Sequence, residues 1–135
     1  MATIIAPTLA VAQYSGDEGN ASVAFGFHTL AAAAINDTVI VLRLYAGTKI
    51  YRARLVTAAL GAGVTLDVGT KNEDGSAGGS LTSLFAAQAA STAGAFESAS
   101  APVIVAKDSL VVVTVKGGAA TGKFDLVVEY EFRGV

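Results

Sequence analysis

Apolar residues along this chain fall mostly at every second position, in short runs divided by glycine-rich or polar turns. That is the period of half-buried strands, since successive strand side chains alternate faces. Residues 37–57 set the pattern. They read as two strands joined by a tight turn at Ala46-Gly47, where glycine supplies the positive φ such a turn needs. In the first strand Thr38, Ile40, Leu42 and Leu44 share one face, which the pattern assigns to the core. Val39, Val41, Arg43 and Tyr45 share the other. Lys49, Arg52 and Arg54 then interrupt the return strand with charge.

The same reading extends along the chain. A weaker strand is expected over 8–14, a turn over 15–20, and a strand over 21–29 with Val23, Phe25 and Phe27 inward and Ala24, Gly26 and His28 outward. Residues 30–37 read as a connection, too short to hold a helix unaided. Val64, Leu66 and Val68 alternate with Thr65 and Asp67, and residues 69–80 form a long polar loop. One short helix is expected next, capped by Ser80 or Thr82, with Leu81, Leu84, Phe85 and Ala89 on one side and Gly94 ending it. Strands follow over 103–106, over 110–116, which is apolar on both faces, and over 123–133. There Phe124, Leu126, Val128, Tyr130 and Phe132 oppose Lys123, Asp125, Val127, Glu129, Glu131 and Arg133. About eight short strands with regular turn signals predict a mainly β protein, an antiparallel β-sandwich of jelly-roll-like form. Residues 1–15 are expected to form an N-terminal arm and residues 16–135 a single domain.

Composition adds a constraint on assembly. The 135 residues are 53% hydrophobic and only 15% charged, against roughly 25% charged in ordinary soluble domains. So few charges leave little to keep a monomer's surface soluble, which implies that part of it is covered by other subunits. Val39, Val41, Val112 and Val127, on nominally outward faces, are the positions expected to meet a partner, and Val39, Val41, Arg43 and Tyr45 are the candidate interface. The net charge of -2 offers no basic stripe for nucleic acid or an anionic membrane. No apolar run approaches the roughly 20 residues of a spanning helix, and the first residues lack a secretory pattern. Synthesis in the cytoplasm is expected.

Reactive chemistry is sparse. His28 is the only histidine and there is no cysteine, so a triad or a histidine-thiolate metal site has nothing to build on. No serine sits in a nucleophile elbow, and no catalytic residue, metal ligand or cofactor is expected. Asp67, Asn72, Glu73 and Asp74 could offer oxygens to a hard cation, but without the ligand spacing of a calcium loop; a solvated turn is the plainer reading. Tyr14, Tyr45, Tyr51 and Tyr130 could line a sugar-stacking platform if several lay exposed together, though packed or interface roles explain them better.

Three stretches carry a resemblance: Asn36-Asp-Thr-Val-Ile-Val-Leu-Arg-Leu-Tyr-Ala-Gly-Thr-Lys-Ile, Leu66-Asp-Val-Gly-Thr, and Val111-Val-Val-Thr-Val-Lys-Gly-Gly-Ala-Ala-Thr-Gly-Lys-Phe-Asp-Leu-Val-Val-Glu-Tyr. With their Leu-x-Ala-Gly turn, Leu-x-x-Gly turn and closing Thr-Gly strand pair, they resemble small β-sandwich virion proteins of tailed bacteriophages. The resemblance implies a capsid decoration, or cement, protein that binds the major capsid protein of the head shell, often as a trimer, with no catalytic residue. A tail or neck position in the virion is the alternative it leaves; a carbohydrate-binding or adhesive module, which would need an exposed aromatic platform, is the alternative from a different class.

Overall fold

The computed structural model of the protein describes residues 1–10, 13 and 21–132. Among them are ten strands: β1 (Thr3–Ile5), β2 (Ala21–Ala33), β3 (Thr38–Leu44), β4 (Thr48–Thr57), β5 (Thr65–Asn72), β6 (Phe85–Ala89), β7 (Gly94–Glu97), β8 (Val103–Ile104), β9 (Ser109–Lys116) and β10 (Ala120–Phe132). They form two sheets. The first has the order β1-β3-β9-β5-β6 and the second β2-β10-β4-β7, with β8 also pairing with β4. Every neighbouring pair is antiparallel except β1 and β3, which run parallel.

The inner faces of the two sheets make one core. Val39, Val41, Leu66, Val68, Val111, Val113 and Val115 come from the first sheet. Ile50, Ala53, Leu55, Phe124, Leu126, Val128 and Tyr130 come from the second. Each fully buried side chain of this size contributes about 1.5–3 kcal/mol, so the layers are held by packing with no cross-link to help. The alternation expected of β5 is observed, as is that of β10 as far as Tyr130; Glu131, expected on the wet face, is buried, after a register shift between Glu129 and Tyr130 in the pairing with β4, and β10 lies between β2 and β4 as a central strand. β9 is buried on both sides. Its Leu110 and Val112 join Ile40 in a second cluster on the outer side of the first sheet, covered by Leu9.

The N-terminal residues dock on this edge. β1 pairs with Thr38–Ile40, and the 3-10 turn Pro7–Ala10 follows, its Thr8 Oγ1 donating to the Val41 carbonyl at 2.9 Å. The backbone N–H groups of Ala2 and Ala34 donate to the two oxygens of Asp37, at 2.7 and 2.9 Å. These bonds, that of Ala2 foremost, hold the Asp37 carboxyl below the ordinary aspartate value.

Several expectations are corrected. The strands of residues 37–57 flank the expected turn, with Gly47 at φ 90°, but they do not pair: β3 belongs to the first sheet and β4 to the second. The chain crosses between layers there: β3 takes β1 and β9 as its neighbours, and β4 takes β10, β7 and β8. The expected helix is absent. Its segment contains β6, whose short apolar face (Phe85 buried, Ala87 at φ 50°) pairs with β5; alanine propensity yields to an available sheet edge. β2 extends through Ala33, so the first half of 30–37 is strand, and the polar loop begins only after Asn72. The strand expected over 8–14 starts in the 3-10 turn, while its remainder apart from Gln13, and the turn over 15–20, lie outside the described residues, as does Arg133.

The aromatic face of β2 is also reversed. Val23, Phe25 and Phe27 point outward and are exposed, while Gly26 and Leu30 are buried. Gly26 explains the choice: a Cβ there would stand 2.3 Å from Val41 Cγ1 and 3.1 Å from Thr8 Oγ1. β3 and the 3-10 turn come so close to β2 that only small side chains fit between them.

Candidate assembly surface

The interface quartet expected from sequence is split by the fold. Val39 and Val41 are fully buried core residues, so their outward placement is overturned. A register shift between Ile40 and Leu42 is the cause. At such a bulge one strand carries an extra residue, and the strict two-residue alternation breaks. Val39, Val41, Leu42 and Leu44 therefore all reach the core, and Ile40 turns to the outer cluster. Arg43 and Tyr45 remain exposed. Arg43 pairs in a forked geometry with Glu73, Nη2 to Oε1 at 2.6 Å and Nε to Oε2 at 3.0 Å. Tyr45 meets Phe132 edge-on at 6.3 Å, and its backbone N–H donates to Gln13 Oε1 at 2.7 Å. Val112 is buried beneath Leu9, and Val127 sits half-buried on the outer face of β10.

The remaining candidates are dispersed. His28 lies on the inner side of β2, opposite Phe124 of β10. The oxygen-bearing residues considered for a cation are engaged by protein groups, Asn72 and Asp74 both through Ser76. Asp67 accepts from the Ala87 N–H, Glu73 pairs with Arg43, and Asp74 accepts from the Ser76 N–H and hydroxyl while facing Lys107 at 3.3 Å. Chiefly through the Ser76 bonds, the Asp74 carboxyl is lowered to about 2. Among the described residues no three His, Cys, Asp or Glu side chains gather as a metal site would require. Of the tyrosines, Tyr130 is in the core, Tyr51 is partly exposed with its hydroxyl bonded to Glu131, and Tyr14 lies outside the described residues.

A continuous surface feature does emerge on the outer face of the second sheet. Val23, Phe25 and Phe27 form an apolar stripe along β2, with the two rings 5.9 Å apart. Val127 of β10 lies beside Phe25, Glu129 beside Val23 and Asp125 beside Phe27. Lys123 Nζ sits 5.1 Å over the Phe27 ring and 3.2 Å from Asp125 Oδ1, close enough for an ion pair though not aligned as a hydrogen bond. Farther across, Arg52 pairs with Glu129 at 2.9 Å and Arg54 faces Glu97 at 3.7 Å. The stripe escaped the sequence reading because alternation separates two faces without saying which is inside. The signal that marks it is the opposite face, Ala24 and Gly26, too small to fill a core.

No protein-family model and no curated protein matches the chain. Solved structures do. A chain from the capsid of Ralstonia phage GP4 superposes with a TM-score of 0.78 at 20% identity, covering 99% of this chain and 100% of that one. The fold is one found in phage capsids. A chain of the cyanophage Pam1 capsid asymmetric unit matches with a TM-score of 0.68 at 22% identity, over 90% and 91% of the two chains. A chain of the acidic stable capsid of Helicobacter pylori bacteriophage KHP30 matches with a TM-score of 0.57 at 19% identity, over 87% and 91%.

Proposed function

We propose that this protein is a non-catalytic structural component of a phage virion, a decoration protein that binds the head shell and stabilises it as a homo-oligomer, with the trimer as the expected form. One observation carries the reading: the nearly complete mutual coverage, at a TM-score of 0.78, with a chain of a phage capsid. The strand order lends support. Within the two sheets, the orders β2-β10-β4-β7 and β3-β9-β5-β6 support reading the sandwich as a jelly roll of eight strands, an architecture common in capsid domains, with β1 and β8 as additions. A low share of charged residues and an apolar outer stripe suit a subunit whose surface is covered in the particle. On a shell, many modest contacts repeated by symmetry reinforce one another without any single tight site.

The test is to add purified protein to shells that lack it and to follow co-sedimentation, particle heat resistance and a particle reconstruction. Regular density on the outside of the head together with a raised disruption temperature is expected. Density confined to the tail or neck, or no binding to shells at all, would overturn the decoration role.

A further inference from the structure

The geometry assigns the outer face of the second sheet, centred on the β2 stripe Val23, Phe25 and Phe27, as a contact between copies of this chain. The inference shares with the decoration reading only the premise of an assembled subunit; it depends on no contact with a shell.

Three observations carry it. First, β2 is an edge strand without the usual protection. Among the described residues it pairs only with β10, and its thirteen residues hold no Lys, Arg, Asp, Glu or Pro. Edge strands of soluble proteins are ordinarily blunted by such residues, so a long, charge-free edge bearing two exposed phenylalanines is built to be covered. Second, the charges of this face suit a copy of itself. Arg52, Arg54 and Lys123 are matched by Glu97, Asp125 and Glu129, each cation beside an anion. A balanced face has no net potential to draw a strongly acidic or basic partner, and it meets its own copy without net repulsion. Third, the size fits. Strands of 13, 13, 10 and 4 residues, at about 3.3 Å per residue and about 4.8 Å apart, give a face of roughly 600 Å², of the order of the roughly 800 Å² per partner of a specific interface. The aromatic stripe supplies the buried anchors and the ion pairs the polar rim.

The chain has no cysteine, so a single introduced thiol reports proximity cleanly. The experiment uses the full chain. Sedimentation velocity over a concentration series measures self-association of the wild type, of Phe25→Asp, of Val23→Lys as a second disruptive change at a more exposed position, and of Leu81→Asp as a control at an exposed residue outside this face. Thermal melts check that each variant is folded. Phe25→Cys and Leu81→Cys are exposed to mild oxidant and examined for disulfide-linked dimers. Expected are self-association of the wild type, a weakening of about 100-fold or more in folded Phe25→Asp or Val23→Lys, no change in Leu81→Asp, and cross-linking of Phe25→Cys alone. A wild type that stays monomeric, or stripe variants that associate like the wild type, would overturn the assignment. So would stripe variants that lose only shell binding, since the face would then belong to the shell protein. Shell co-sedimentation of the same samples separates the two readings: an oligomer that ignores shells sinks the decoration role and keeps this interface, and a monomer that binds shells does the reverse.

Discussion

Val41 and Phe25 show how differently two apolar residues on neighbouring strands can be used. Val41 is fully buried and Phe25 is about half exposed. Val41→Ala is therefore expected to lower stability by about 2 kcal/mol in urea unfolding, and Val41→Asp to prevent folding, because an unpaired carboxylate would enter the core. A Val41→Asp protein with a native-like urea midpoint would contradict the burial. Gly69 is a second sensitive point. A Cβ there would stand 2.0 Å from the Ser80 carbonyl oxygen and 2.4 Å from the Leu81 carbonyl carbon. Backbone cannot move aside as a side-chain tip can, so Gly69→Ala should cost about 2–4 kcal/mol, read from the same unfolding curves. At this scale the sequence was informative wherever polar residues marked the wet face. In β10, Lys123, Asp125 and Glu129 fixed which side was out. In β2 no charge did so, and the larger side chains were placed inside when the close approach of β3 demanded the smaller ones.

Strands were easier to locate than to assign to partners. β5, β9 and β10 were legible from alternation or from apolar character on both faces. The passage from β3 to β4 was not, because a tight glycine turn looks the same whether it joins paired strands or carries the chain from one sheet to the other. Nor was the Val41 bulge, which shifts the period by one residue with no signature in composition and so misplaced half of the expected interface. The segment before Gly94 misled through its alanines, whose helix preference of a few tenths of a kcal/mol per residue is outweighed by pairing with β5. Among loops, the turn after β5 makes a pH prediction. The folded Asp74 carboxyl titrates at about 2, below its unfolded value near 4. Its bonds to Ser76 thus contribute fully above about pH 4 and are lost as the pH falls toward 2. Carboxyl-carbon NMR shifts should place the Asp74 midpoint near 2, and a midpoint close to 4 would mean the turn is not held this way.

Across the whole molecule nearly every pairing joins strands far apart in sequence. β2 waits for β10, β3 for β9, and β4 lies between β10 and β7. Such long-range topology is slow to find, so refolding should take milliseconds to seconds in stopped-flow fluorescence of the tyrosines; microsecond folding would be inconsistent with this strand order. The sandwich class could be read from the number and spacing of the strands, whereas their order, set by which faces could be buried together, could not. The position of β10 between β2 and β4 also has a consequence during synthesis. About 100 residues separate the end of β2 from the end of β10, which at about 5–20 residues per second leaves β2 without its neighbour for on the order of 5–20 seconds on the ribosome. Throughout that interval Val23, Phe25 and Phe27 sit on a nascent segment with no charge to repel another like it, so crowding of ribosomes on one message would be the moment of greatest danger for misassembly.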